Sequence, residues 1–104
     1  SLANDTSEML GMERCIVDTD VVLNSDYVGG GYGVVGRLEK EAMQLTAQTE
    51  GVLLDPVYTA RAMGGLIELI GSEKFDSNDQ VLFWHTGGAP ALFAYSEEVS
   101  DYLP

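Results

Sequence analysis

Apolar positions come in short bursts, separated by glycine and acidic residues. Met9-Leu10 belong to a first short segment, with Thr6 placed to cap a helix and Gly11 to end it. The β-branched-rich clusters Cys15-Ile16-Val17 and Val21-Val22-Leu23 flank Asp18-Thr19-Asp20 and predict one interrupted extended strand. Residues 24–37 break the pattern. Five of the eight residues from 29 to 36 are glycine, which predicts a long loop, and such loops inside compact domains often carry function. Leu38, Ala42 and Leu45 recur at i, i+4, i+7 and predict a helix to about Glu50, ended by Gly51.

Val52-Leu53-Leu54 is a short apolar stretch, and Asp55-Pro56 then reads as a cap followed by a first-turn proline. A second helix is expected from Pro56, with Ala60, Met63, Ile67 and Ile70 as its stripe and Leu66 and Leu69 widening it. Residues 72–80 form a polar connection. Val81-Leu82-Phe83-Trp84 is a continuous apolar run, the pattern of a strand buried on both faces of a parallel sheet. It stops at His85-Thr86-Gly87-Gly88. Pro90 suits the first turn of a closing helix to about Tyr95, and the acidic tail 96–104 is expected to wrap the surface.

Helices alternating with strands predict an α/β fold, a mostly parallel sheet with flanking helices. Two or three strands make an incomplete sheet, since parallel strands need neighbours on both sides. Residues 1–104 therefore read as a single domain that is a piece of a larger one, or that completes its sheet with a partner and forms a homo-oligomer.

Charge narrows the partners. There are 17 acidic against 5 basic residues, a net charge of −12. Binding a phosphate backbone needs a lysine and arginine surface, so nucleic acid is excluded as a partner. Apolar residues make up 45% of the chain, too many for a disordered acidic tail. No apolar run approaches the ~20 residues of a membrane span, and Ser1–Asp5 shows no signal-peptide pattern. One cysteine and one histidine give too few ligands for a usual zinc site. Cys15 is expected to be a reduced, buried thiol in a cytoplasmic protein.

Three clusters carry candidate chemistry. Gly29-Gly30-Gly31-Tyr32-Gly33 can cradle an anion with its backbone, or be a flexible turn with one aromatic anchor. Tyr58 and Thr59 stand in the expected first turn of a helix, where the dipole favours anions; packing explains a tyrosine there as well. His85-Thr86-Gly87-Gly88 joins a strand end to a helix, where open α/β sheets bind ligands. Gly87 and Gly88 let a ligand approach the backbone, and the Thr86 hydroxyl can point at it.

Gly31-Tyr32-Gly33, Thr49-Glu50-Gly51-Val52-Leu53-Leu54-Asp55-Pro56-Val57-Tyr58 and His85-Thr86-Gly87-Gly88-Ala89-Pro90-Ala91-Leu92-Phe93-Ala94-Tyr95 together resemble the C-terminal part of one family. It comprises the D-cysteine desulfhydrases and 1-aminocyclopropane-1-carboxylate (ACC) deaminases. The likeness covers nearly all of residues 11–95. The resemblance implies a small amino-acid substrate, the cofactor pyridoxal 5′-phosphate (PLP) and the tryptophan-synthase β fold, fold type II. It implies that Tyr32 lines the substrate pocket and that Tyr58 lies near the substrate amino group as a candidate for proton transfer. Thr59 and Thr86 stand where ACC deaminases carry glutamate and leucine, and the desulfhydrase branch carries small hydroxyl residues at both places. The resemblance thus implies Thr86 facing the cofactor's pyridine nitrogen, with Thr59 beside it and Gly87 next in the cofactor-binding loop.

The family's Schiff-base lysine, its substrate-carboxylate segment and its phosphate cup lie upstream of this part. Lys40 and Lys74 stand in other contexts, and Val35 replaces a usual proline. The expected function is that of a D-cysteine desulfhydrase-like lyase of which this chain is the C-terminal part, inactive alone. The alternatives are ACC deaminase or a related amino-acid lyase and, in another class, a non-catalytic assembly or binding fragment.

Overall fold

Two helices pack side by side and carry the fold. The computed structural model describes residues 1–100 and Tyr102. Its helices are α1 (Leu2–Met9), α2 (Arg37–Glu50), α3 (Thr59–Gly71), α4 (Ala91–Ala94) and α5 (Ser96–Ser100), with one 3-10 turn at Asp18–Asp20.

The α1 helix starts earlier than expected. Ser1 caps it, its hydroxyl accepting from the Asn4 N–H, while Thr6 lies inside and donates to the Leu2 carbonyl. The Asn4 side-chain amide then bonds both N–H and C=O of Ile16, at 2.9 and 2.7 Å. A side chain thereby does for Ile16 what a neighbouring strand would do.

The α2 helix matches its expected span and ends at Gly51, whose φ of +67° is the left-handed turn that suits glycine. Its buried face is rotated from the expected stripe. Leu45 is largely exposed, while Glu39, Ala42, Met43 and Thr46 are buried. The turn is explained by Glu39, which bonds Arg61 on α3. The two helices approach closely because residue 64 has no side chain. A Cβ there would lie 2.6 Å from the Leu38 side chain and 3.2 Å from its carbonyl oxygen.

The α3 helix begins at Thr59 rather than Pro56, because Asp55 spends its carboxylate on a turn over 56–59. Met43, Leu54, Ala60 and Val99 form the core, with Met63, Phe83, Leu92 and Tyr95 packed against it.

The expected sheet is not formed among the described residues. The segments 15–17, 21–23 and 81–84 run without strand pairing. Val22 is 89% exposed and Leu82 81%. A strand is a relation between two segments, and here each apolar run lacks a neighbour to take its N–H and C=O groups. Cys15, expected to be buried, is exposed for the same reason. Among the described residues, no helix is long and apolar enough to cross a membrane.

Candidate active site

Asp55 is the structural centre of the candidate site. It is 1% exposed. Its Oδ2 accepts from the N–H groups of Val57 and Tyr58 at 2.9 and 2.8 Å. Its Oδ1 accepts from the Thr59 N–H at 2.8 Å and the Thr59 hydroxyl at 2.7 Å. The Thr59 hydroxyl in turn accepts from the Asp55 N–H at 2.8 Å. Burial alone would push the Asp55 carboxyl up. The hydrogen bonds from Thr59, Tyr58 and Val57 outweigh it and hold the group below the usual carboxylate range.

This turn sets Tyr58 at the start of α3. The glycine-rich loop brings Tyr32 to meet it, with hydroxyl oxygens 2.5 Å apart and rings edge to face at 5.9 Å. The hydrogen bond with Tyr32 raises the Tyr58 pKa above its ordinary value, helped by desolvation and by the Asp55 charge. Tyr58 thus holds its proton firmly at neutral pH. The Tyr95 hydroxyl lies against Gly33, 2.9 Å from where a Cβ would stand. The tyrosine pair sits on the lip of an open groove of about 610 Å³, walled by Val57, Arg61, Leu66 and Leu69.

The loop 85–88 packs against the same turn. His85 Nδ1 accepts from the Gly87 N–H at 3.2 Å, so Nε2 carries the proton and donates to the Leu53 carbonyl at 3.1 Å. The imidazole pins the loop to the segment before Asp55. Gly88, at φ +98°, lies so close to Asp55 that a Cβ would stand 2.7 Å from its Cγ. Gly87, at φ +109°, faces open space.

The chain was compared with known proteins. No family model matches it. The D-cysteine desulfhydrases of Salmonella newport (strain SL254), Salmonella heidelberg (strain SL476) and Salmonella typhi are each 43% identical to it over 106 residues. The match covers 95% of this chain and 32% of each relative, so the chain spans about a third of their length. A crystal structure of an ACC deaminase homologue superposes with a TM-score of 0.72 at 28% identity, covering 98% of this chain and 30% of that one. This segment is thus similar over nearly its whole length to part of the D-cysteine desulfhydrases and of an ACC deaminase homologue.

In this desulfhydrase-like segment, the structure brings Tyr32 and Tyr58 together and ties the Thr86-Gly87 loop to the turn that carries Tyr58. It treats the two threonines differently. The Thr59 hydroxyl is buried, and its donor and acceptor are both spent on Asp55. Thr86 is exposed, beside a glycine with no neighbour on its Cβ side. An accessible neutral hydroxyl next to bare backbone leaves room for a planar ring and is chemically able to bond a ring nitrogen such as that of PLP. Lys40 lies over the Tyr102 ring at 4.5 Å, and Lys74 follows α3 with its N–H bonded to the Leu69 carbonyl. Among the described residues, no group of three His, Cys, Asp or Glu side chains is placed to hold a metal ion.

Sequence reasoning missed Arg61 and the central role of Asp55. Asp55 carried a local signal, the Asp-Pro pair followed four residues on by Thr59. Arg61 carried none, because its partners lie 22 to 33 residues away.

Proposed function

We propose that this chain supplies the proton-handling side and the nitrogen-facing loop of a PLP-dependent D-cysteine desulfhydrase-like lyase. The overall reaction takes D-cysteine and one water to pyruvate, ammonia and sulfide. The bound cofactor would act as the electron sink for α-proton loss and β-elimination. Tyr58, held protonated by Tyr32 and its surroundings, is suited to give a proton and take it back at one fixed hydroxyl. Tyr32 orients that hydroxyl. Thr86 offers the ring nitrogen a neutral partner, which leaves a milder sink than a carboxylate would. That suffices where the leaving group is a thiolate. Thr59 keeps the turn beneath Tyr58 in shape. The observation that carries this reading is the Tyr32–Tyr58 hydroxyl pair, set on the Asp55 turn against which Gly88 packs.

The test is a chimera in which this chain replaces the matching third of the Salmonella typhi D-cysteine desulfhydrase. It should release sulfide and pyruvate from D-cysteine, and Tyr58→Phe should cut kcat/KM by roughly 10²–10⁴, the usual worth of a positioned proton donor. A folded chimera that opens ACC and ignores D-cysteine would overturn the substrate reading. Full activity in Tyr58→Phe would overturn the role of Tyr58.

A further inference from the structure

We propose that Arg61 is a positioning residue, whose guanidinium, anchored by Glu39, shapes the glycine-rich loop so that Tyr32 meets Tyr58. The Arg61 Nε donates to Glu39 Oε1 at 2.6 Å. Nη1 donates to the carbonyls of Val28 and Gly31 at 2.7 and 3.1 Å, and Nη2 to that of Val34 at 2.7 Å. These three carbonyls bracket Tyr32 in sequence. The pair is sheltered, with side-chain exposures of 16% for Arg61 and 4% for Glu39.

The loop has little else to hold it. Among the described residues, its own backbone offers two long bonds, Gly31 N–H to the Val28 carbonyl and Val34 N–H to the Gly31 carbonyl, each 3.3 Å. Glycine-rich backbone loses much entropy on ordering, so external donors decide its shape. Gly29 completes the fit. At φ +62°, the Cβ it lacks would lie 3.3 Å from Arg61 Nη2.

Arg61 follows Tyr58 by three residues, so one end of α3 carries both the phenol and the group that brings its partner to it. Glu39 also accepts from the Gly36 N–H at 2.8 Å, which ties the far end of the loop to α2. Lysine cannot substitute. An ammonium is a point charge, whereas four acceptors here are spread around a planar fork.

The inference deepens the functional reading of the tyrosine pair and rests on it for its purpose, but its geometry is tested without turnover. In the 104-residue chain, label tyrosine Cζ with ¹³C and follow Tyr58 through its titration. Tyr32, Asp55 and Tyr95 are the titratable groups acting on it, and Arg61→Lys leaves all three in place. Its ammonium loses its charge at about pH 10.4, where tyrosines also titrate, and that loss would raise the Tyr58 titration rather than lower it. Tyr32→Phe sets the reference for a lost partner. Arg61→Lys, with helical circular dichroism retained, is expected to move the Tyr58 titration down most of the way to that reference. A wild-type titration in Arg61→Lys would overturn the proposal. If the variant loses its helices, the wild-type guanidinium decides: separate, slowly exchanging Nη1 and Nη2 signals are expected, and one averaged signal would overturn it. If the spectroscopic result holds while Tyr58→Phe leaves the chimera fully active, Arg61 still positions Tyr32 and the functional reading alone falls.

Discussion

Replacing Asp55 by asparagine keeps the side chain's shape and removes its charge. The carboxylate accepts four hydrogen bonds, from Val57, Tyr58 and twice from Thr59, at 2.7–2.9 Å. An asparagine carbonyl can take the bonds on one side only, and its NH₂ group then faces donors on the other. At least one buried N–H loses its acceptor, and two do if the amide turns toward Val57 and Tyr58. Bonds to a charged acceptor contribute about 1.5–3 kcal/mol each, and an orphaned buried donor costs about 1–3 kcal/mol, so we expect a loss of about 2–4 kcal/mol. For a domain this small that is a large share of a total of about 5–15 kcal/mol, and it should lower Tm by on the order of 10–20 °C. Thermal unfolding in dilute solution at neutral pH reads it directly. The pH dependence identifies the cause. The folded-state pKa of Asp55 is depressed, so its contribution is full above the unfolded value of about 3.9 and is lost as pH falls through the folded value. The gap between wild type and Asp55→Asn should therefore be constant near neutrality and close in acid. A Tm within about 2 °C of wild type at pH 7, or a gap that widens as pH falls below about 3.9, would refute the carboxylate's role.

Two further substitutions probe the same turn. Gly88→Ala adds a Cβ at φ +98° and 2.7 Å from Asp55 Cγ, and should cost about 2–4 kcal/mol in urea unfolding; Gly87→Ala, facing open space, should cost clearly less, and the reverse order would count against the packing described. Thr59→Val strips the hydroxyl that bonds Asp55 in both directions and should cost about 1–3 kcal/mol, with Thr59→Ser restoring most of it.

The legible parts of this fold were the local ones. Helix α2 announces itself by spacing, and Gly51 by its place after the last turn. The choice of buried face was not legible, because it depends on Glu39 finding Arg61, 22 residues along the chain. Tyr32, Tyr58, Thr86 and Gly87 could be picked out through the resemblance. Two facts were not readable from it, namely that Thr59 spends its hydroxyl on Asp55 and that His85 pins the loop through Leu53. The second depends on a contact between segments 32 residues apart, which periodicity does not report. The first is a contact within one turn, four residues apart, which only the local Asp-Pro pair and the following Thr59 signal. The strands failed for the opposite reason. Val21-Val22-Leu23 and Val81-Leu82-Phe83-Trp84 have the right composition, but pairing depends on a neighbour and not on the run itself.

Those unpaired runs have a consequence for how the chain behaves in bulk. Val22, Leu23, Leu82 and Trp84 stay in water, and copies of such a surface attract each other. A net charge of −12 opposes that attraction by mutual repulsion. Salt weakens that repulsion by shortening its range, and acid removes it outright as the pH nears the isoelectric point of about 4.1. The chain's colloidal stability thus resides in its carboxylates, and mildly acidic, salty buffers are where it comes out of solution.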